Sequence, residues 1–307
     1  MLFSTKRSLL CISTISCMSL YASIIEVDSD ITIGKTTTGK EVATDLENKA
    51  DYNYWLGKTY VFNRDKDKNG KYWIATNTVT IDKDYTLNLT TIGYFYNDYV
   101  LKCWNTFTNN GNVIIDDYGV LGINSHYTSI NNGAIYINNG ALGLFGSTLT
   151  TTGTITLTDS SSIDIRNNST LNNTGTIDIS NITDLSEWYN DNIFTLEGGS
   201  TFILPKSILG DRKKIGYFYR FKPITLSGTK DKPVNIVIPK DCEYITYIDN
   251  NNKEDLFELI KEATWFTKVL FNAIKEATGF TFKGNNDNVK FSWQTSLDNE
   301  CEYVDEC

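Results

Sequence analysis

The sequence predicts an all-β protein built around a parallel β-helix of about 21 residues per coil, followed by a smaller β-rich domain with one helix. Three observations support this: a glycine repeat, apolar tracks that share its period, and helical spacing confined to the C-terminal third. The glycines are 22, 20 and 22 residues apart, and each one follows small polar residues and precedes an alternating strand: Gly111, Gly133, Gly153 and Gly175.

Alternation after each glycine gives two inward side chains per strand, as period-two geometry requires. These inward pairs are Val113/Ile115, Ile135/Ile137, Ile155/Leu157 and Ile177/Ile179. A second track repeats every 21 residues, and a third precedes each glycine: Leu121, Leu142 and Ile163 with Ile123, Leu144 and Ile165; Phe107, Ile130, Leu149 and Leu171. Three short strands per period indicate coils that are stable only when stacked. An antiparallel sandwich is the alternative, but it does not explain one shared period.

The turns between coils carry asparagine pairs at equivalent positions, namely 109/110, 131/132 and 172/173. Identical amide side chains that stack in register can hydrogen-bond to one another along the axis. We therefore expect an asparagine ladder beside the glycine column.

Composition shifts divide the chain into three predicted segments. Residues 1–22 have a charged start with Lys6 and Arg7, an apolar run and Ala22 at a plausible cleavage point, which indicates a secretory signal peptide. A buried N-terminal helix is the alternative. Residues 23–205 form the β-helix with an N-terminal capping segment. Residues 206–307 form the small β-rich domain, with a helix at 253–277 that stops at Gly279.

The charge balance excludes several classes of function. The chain has 28 Lys+Arg, 37 Asp+Glu and one His, which gives a formal net charge of −9. Nucleic acid is not an expected partner, because no basic stripe is available to neutralise phosphates. Most catalytic triads need a histidine and zinc sites need clusters of His or Cys, so a chain with one His is not expected to contain them. No cofactor and no metal is therefore predicted. The apolar run at the start of the chain is too short to span a membrane and no other run reaches spanning length, so no membrane insertion is expected.

Removal of the signal peptide would leave four cysteines: Cys103, Cys242, Cys301 and Cys307. An even number of cysteines in a protein that passes through the oxidising secretory pathway predicts two disulfides, for which three connectivities are possible. We favour pairing of the two tail cysteines with Cys242 and Cys103, because a bond between Cys301 and Cys307 would close too small a loop to stabilise much. The acidic tail would then be stapled to the rest of the chain. Candidate N-glycosylation sites are Asn88, Asn167, Asn168, Asn172 and Asn181.

Three groups of residues are candidates for binding or catalysis. An aromatic cluster could stack on sugars or adhere to apolar surfaces, although a capping mini-core is the alternative: Tyr52, Tyr54, Trp55, Tyr60, Tyr72 and Trp73. Asp65, Asp67 and Asn69 match the start of a Ca²⁺ loop, but Thr76 stands where the loop needs Glu, so a hairpin with an Asn-Gly turn is the preferred interpretation.

The third group is acidic and basic. Asp164 and Arg166 with Asp178 form the best constellation for acid–base chemistry, but the repeat places them on different faces. The Asp116–Asp117 pair follows a strand and is expected in a turn. His126 is expected in a solvated loop.

The signal peptide, the Asn-Asn-Gly-x-Ile-x-Ile repeat, the segment Cys103-Trp-Asn-Thr-Phe107 and the acidic Cys-rich end occur together in one known group. Over roughly residues 24–307 the chain resembles the N-terminal domain of yeast hyphally regulated cell-wall proteins and related adhesin-like wall proteins. The resemblance implies a right-handed β-helix, then a small β-sandwich of α-crystallin type, displayed on the wall by a Ser/Thr-rich stalk and a lipid-derived anchor. Stalk, anchor and attachment to wall polysaccharide are expected only in a longer parent chain.

The sequence therefore predicts a secreted, wall-displayed glycoprotein that adheres to host or abiotic surfaces, with glycans among the candidate ligands, and performs no catalysis. Two other functions stay open. Parallel β-helices also occur as polysaccharide lyases and hydrolases, which need carboxylates that converge in one groove. The chain could instead be a purely structural wall protein without a ligand.

Overall fold

The computed structural model describes residues 24–27, 30–34, 54–56, 58–65, 72–92, 100–207, 220–239, 242, 264–285 and 288–293. The first strands in chain order are β1 (Ile24–Val27), β2 (Ile31–Ile33), β3 (Tyr54–Leu56), β4 (Thr59–Asp65), β5 (Tyr72–Ala75), β6 (Val79–Ile81), β7 (Thr86–Ile92), β8 (Leu101–Cys103), β9 (Phe107–Asn109), β10 (Asn112–Asp116), β11 (Val120–Ile123), β12 (Thr128–Asn131) and β13 (Ala134–Asn138).

The later elements are β14 (Ala141–Phe145), β15 (Thr148–Thr151), β16 (Thr154–Asp159), β17 (Ser162–Arg166), β18 (Thr170–Asn173), β19 (Thr176–Ile182), β20 (Tyr189–Asn190), β21 (Ile193–Glu197), β22 (Thr201–Ile203), β23 (Ile224–Ser227), β24 (Val234–Ile238), helix α1 (Thr264–Thr278), β25 (Phe282–Gly284) and β26 (Val289–Trp293).

The strands form a parallel β-solenoid with three sheets. Sheet A has the order β1-β5-β8-β11-β14-β17-β20, sheet B has the order β2-β6-β9-β12-β15-β18-β21-β23-β25, and sheet C has the order β26-β24-β22-β19-β16-β13-β10-β7-β4-β3. From β5 to β19, five successive coils each contribute one strand to every sheet. The pairing is parallel throughout except for β3 and β4, which are antiparallel at the edge of sheet C. The parallel β-helix predicted from the repeat is confirmed.

The predicted inward tracks line the core. Ile135, Ile155 and Ile177 are neighbours in successive coils of sheet C, and each is fully buried. The residues predicted 21 apart in sheet A are paired in the same way. Each coil buries only a few apolar side chains, but the stack joins them into one hydrophobic cluster that runs through the solenoid.

The third track contains one error. Ile130 was expected to point inward, but it is 37% exposed, and Ser129 takes the inward position beside Leu149. The hydroxyl of the buried Ser129 accepts a hydrogen bond from the backbone N–H of Phe107 at 3.1 Å. The Ser129 hydroxyl therefore has a hydrogen-bond partner inside the core, which offsets the free-energy cost of burying it.

The glycine column exists because neighbouring coils approach closely. A Cβ atom at Gly133 would lie 2.0 Å from the carbonyl oxygen of Gly111, and one at Gly153 would lie 1.9 Å from the carbonyl oxygen of Gly133. The same holds at Gly175, 2.0 Å from the oxygen of Gly153. The period of the repeat thus reflects a steric requirement at the corner between sheets B and C.

Two polar ladders run beside this column. In the buried ladder, Nδ2 of Asn109 donates to Oδ1 of Asn131 at 2.8 Å, and Nδ2 of Asn131 donates to Oγ1 of Thr151 at 2.8 Å. In the exposed ladder, Asn132 bridges Asn110 and Thr152. The predicted stacking is confirmed with one shift of register, because the ladder position in the later coil is occupied by Asn173.

We expect Asn131→Ala to lower the free energy of unfolding by about 1–3 kcal/mol, because it removes one of the two acceptors of the Asn109 amide and the donor to Oγ1 of Thr151 in a buried ladder. Asn132→Ala removes the equivalent exposed hydrogen bonds and should cost much less, because water can replace them. Chemical denaturation of both variants measures the difference. Equal losses would mean that the buried ladder contributes nothing beyond the exposed one.

The strands after Pro205 continue the solenoid. β23 and β25 extend sheet B, and β24 and β26 extend sheet C, all in parallel register. The β-sandwich expected for residues 206–307 is not seen among the described residues of that region. Among the described residues, sheet A ends earlier, with β20 and a single bridge between Asn190 and Phe221.

Helix α1 precedes β25 in the last coil, where no strand of sheet A is found among the described residues. Its side chains Leu270 and Ile274 are fully buried in the common core, and the ring of Phe271 contacts the rings of Phe282 in β25 and Phe291 in β26. The helix therefore closes the hydrophobic core beside β25 and β26. Of the predicted helix, 253–263 lies outside the described residues.

The helix ends as predicted. Gly279 has a φ of 81° and its N–H donates to the carbonyl of Lys275 at 2.8 Å, which is the left-handed C-terminal motif of helices. The next residue, Phe280, is fully buried and packs its ring edge against Trp188 and Phe202 at centroid distances of 5.8 and 5.5 Å. An aromatic core at this end replaces the aliphatic core of the regular coils.

Candidate functional site

One group of ionisable side chains lies on the outer face of sheet A. Nε of Arg166 donates to Oδ1 of Asp164 at 2.7 Å, and the guanidinium lies 4.4 Å from the ring centre of Tyr189 in the next coil. The hydroxyl of Tyr189 in turn donates to Oδ2 of Asp191 at 3.2 Å. We call these four residues the acidic–arginine cluster.

Opposing effects act on the pKa of the Asp164 carboxyl in this cluster. Burial raises the pKa of the Asp164 carboxyl, the hydrogen bond and charge of Arg166 lower it, and the charge of Asp191 raises it again, so that the pKa lies above its usual value. A carboxyl with a raised pKa beside a second carboxylate is an arrangement used in general acid catalysis. The same contacts also constitute a structural ion pair, since Arg166 holds both Asp164 and the tyrosine ring.

The structure does not bring Asp178 to this cluster. Asp178 lies on β19 in sheet C, where its Oδ1 accepts a hydrogen bond from the N–H of Ser180 at 2.8 Å. The sequence pointed to Asp164 and Arg166 but missed Tyr189 and Asp191. The insertion before β20 places Tyr189 25 residues after its neighbour Asp164, outside the period of 21, so spacing could not reveal the contact.

The other polar residues singled out in the sequence lie in separate turns and loops. Asp117 and Tyr118 have φ values of 47° and 64°, so the Asp116–Asp117 pair opens a turn as expected. Burial is also the main cause that raises the pKa of Asp116, which lies at the end of β10. His126 is exposed in the loop between β11 and β12, as predicted.

The aromatic cluster is only partly described. Tyr60 is fully buried in the core, so it is not available to a ligand, and its assignment to a contact surface is wrong. Tyr54 and Trp55 lie in β3, and Tyr72 and Trp73 lie in β5, but the positions of these four side chains and of Tyr52 are outside the described part of the chain.

The hairpin predicted around the Ca²⁺-like segment is also wrong. β4 belongs to sheet C and β5 belongs to sheet A, so the two strands do not pair with each other. Asp65 ends β4, while Asp67 and Asn69 lie outside the described residues, so the weak Ca²⁺ prediction stays untested.

The candidate glycosylation sites differ in accessibility. Asn167 and Asn168 are exposed in a turn with φ values of 57° and 64°, and Asn181 is exposed beside Lys206. Asn172 is half-buried on the outer face of sheet B. Asn88 is half-buried on the outer face of sheet C, where its Oδ1 is buried and has no hydrogen-bond partner. Carbohydrate at any of the five sites stays a prediction.

The predicted disulfides are not seen among the described residues. Cys103 is a free thiol, fully buried in β8, and burial raises its pKa strongly. Cys242 is buried as well. Because Cys301 and Cys307 lie outside the described residues, the pairing of the tail stays a prediction.

The outer face of sheet B is unusually uniform. Two columns of side chains run along the solenoid on either side of the inward track. Those that lie in strands are paired in register from coil to coil, and Thr78 and Thr106 directly precede β6 and β9. One column precedes the inward residue and the other follows it: Thr78, Thr106, Thr128, Thr148 and Thr170; Thr80, Thr108, Ile130, Thr150 and Asn172. Eight of these ten residues are threonine, and we call the surface the threonine face.

This face also escaped the sequence-based prediction, although a signal was present. The triplets Thr106-Phe-Thr108 and Thr148-Leu-Thr150 place threonine on both sides of two residues of the third apolar track, and Thr78-Val-Thr80 has the same pattern one coil earlier. Taken alone, each triplet predicts only that its central residue points inward. Recognising the face required the register that joins the triplets laterally.

Comparison with family models, with curated proteins and with solved structures gives no match. Within the described residues, no helix is long and apolar enough to cross a membrane.

Proposed function

We propose that the chain is a secreted, wall-displayed module that adheres to cell or abiotic surfaces without catalysis. The observation that carries the proposal is the threonine face, a flat sheet surface of hydroxyl, methyl and amide groups that spans five coils. Such a surface offers many weak contacts and no deep pocket. The resemblance to hyphally regulated cell-wall proteins supports the same role, and it supports a right-handed solenoid and a β-sandwich in the same protein.

Weak contacts become effective by repetition. A wall that displays many copies raises the effective concentration of each binding face, so that avidity exceeds the affinity of one copy without any new contact. The net charge of −9 gives no attraction to anionic polymers. The partners we propose are therefore uncharged surfaces, glycans included.

We expect beads coated densely with the protein to capture cells and to stay attached to plastic surfaces, while the soluble monomer binds both weakly or undetectably. The measurement is retention under flow as a function of coating density, with albumin-coated beads of matched density as the control. Retention should rise more steeply than linearly with density, because several faces must engage together. No retention at any density would favour a purely structural wall protein.

A second function is favoured by the acidic–arginine cluster, namely hydrolysis or elimination of a polysaccharide. In that case Asp164, with its raised pKa, would act as the acid, and Asp191 would be the second carboxylate. Release of reducing ends from glucan, mannan, chitin or pectin, abolished by Asp164→Asn and by Asp191→Asn but not by Asp178→Asn, would establish it. Absence of release from all four polymers is the outcome expected from the adhesion proposal.

A further inference from the structure

The threonine face is a two-dimensional lattice. Neighbouring coils are about 4.8 Å apart, and alternate residues of one strand are about 6.6 Å apart, so the two columns define a nearly rectangular grid. At the start of the second column Thr32 precedes Thr80, whereas Thr195, which follows Asn172 in the next coil, is only 8% exposed, so the accessible column ends at Asn172. Strands hold such a grid more rigidly than loops can, because each is hydrogen-bonded on both sides.

The chemistry of the grid is equally regular. Each threonine presents one methyl group and one hydroxyl, and rotation of its χ1 angle is restricted. No group among the described residues hydrogen-bonds the hydroxyls of five of them, which are Thr108, Thr128, Thr148, Thr150 and Thr170. The ten positions of the face carry no charge, although 21% of the chain is charged.

The other outer faces do not share this property. On sheet C the equivalent column reads Asn88, Ile114, Tyr136, Thr156 and Asp178. On sheet A the outer residues include Lys102 beside Trp104 and the acidic–arginine cluster. Strand propensity for threonine acts on all three sheets, so propensity alone does not explain why one face is uniform and uncharged.

We propose that the threonine face binds the surface of ice crystals. Its two spacings, about 4.8 and 6.6 Å, are each close to a repeat distance on a prism face of hexagonal ice. Methyl groups order the adjacent water, and unpartnered hydroxyls hold it by hydrogen bonds, so that the first water layer on the face already has a lattice-like arrangement. That layer can join the crystal without the desolvation that binding to a protein would require.

The alternatives fit the face less well. A second copy of the chain would bury about 300 Å² on each side, from the size of the grid, whereas a stable interface needs about 800 Å² per partner. A charged polymer gains nothing from a surface without charge. An uncharged crystalline polysaccharide remains the competing solid, and the experiment separates it from ice. The inference does not depend on adhesion to cells, because it predicts a property of the soluble protein.

The test uses the full chain, produced without N-glycans because Asn172 lies in the face. Ice is grown slowly in a dilute solution, and the enrichment of protein in the ice fraction is measured together with the thermal hysteresis of single crystals. We expect the protein to enrich in ice and to delay crystal growth. Thr150→Tyr, at the centre of the face between Ile130 and Asn172, should lower both effects by about tenfold or more.

The matched control is Thr156→Tyr, the same substitution in the adjoining strand of sheet C. It should melt at the same temperature as Thr150→Tyr and retain full ice activity. The double variant Ile130→Thr and Asn172→Thr completes both columns over five coils and should raise the thermal hysteresis.

Three outcomes would overturn the proposal. The first is enrichment in ice no greater than that of albumin, and the second is an equal loss of activity in both tyrosine variants. The third is binding to crystalline chitin or glucan without activity on ice, which would assign the face to a polysaccharide instead. Adhesion of coated beads to cells could persist in all three cases, so the two proposals fail independently.

Discussion

Ile155→Asp is expected to lower the free energy of unfolding by about 3–5 kcal/mol. Ile155 is fully buried between Ile135 and Ile177 of the neighbouring coils, so a carboxylate there would have no water and no partner. Because coils stabilise one another only through their neighbours, the loss should spread along the stack and reduce the cooperativity of unfolding. Thermal and urea denaturation followed by circular dichroism would measure both effects.

The control is an outward aspartate in the same coil. Thr156→Asp would place a like charge beside Asp178, so Thr150→Asp, between Ile130 and Asn172, is the cleaner choice. It should cost under about 0.5 kcal/mol. Equal melting of Ile155→Asp and Thr150→Asp would contradict the inward and outward assignment on which the solenoid depends.

Gly153→Ala is expected to cost about 3 kcal/mol or more, although it adds one methyl group. The new Cβ would lie 1.9 Å from the carbonyl oxygen of Gly133 and 2.8 Å from the carbonyl of Asn132, and neither backbone group can rotate away. The coils would have to separate at this corner, which would break the hydrogen bond from Thr154 N–H to the Gly133 carbonyl at 2.9 Å.

Gly146→Ala provides a comparison with a different physical origin. Its φ is 63° and the nearest atom to a new Cβ is 3.5 Å away, so only the left-handed backbone conformation is penalised, by about 1 kcal/mol. Denaturation midpoints of the two variants separate steric exclusion from conformational preference. A smaller loss at Gly153 than at Gly146 would show that the glycine column is not held by close contact between coils.

Features that repeat along the chain were predictable from the amino-acid sequence. Alternation identified Val113 and Ile115 as inward, and the helical stop at Gly279 followed from one residue type at one position. The glycine period predicted the solenoid, because only a stacked structure imposes the same steric requirement every 20 to 22 residues. These features depend on neighbours in sequence or on strict periodicity, and both can be read along the chain.

Contacts between residues of different coils became known only from the three-dimensional structure. Ser129 rather than Ile130 enters the core, and Tyr189 rather than Asp178 joins Asp164. In each case the neighbour in the next coil depends on the register between strands. A register shift of one residue moves every side chain of a strand to the opposite face, and an insertion changes which residues are paired. The threonine face has the same origin: each Thr-x-Thr triplet is local, but the lattice exists only because the solenoid aligns the triplets one strand spacing apart.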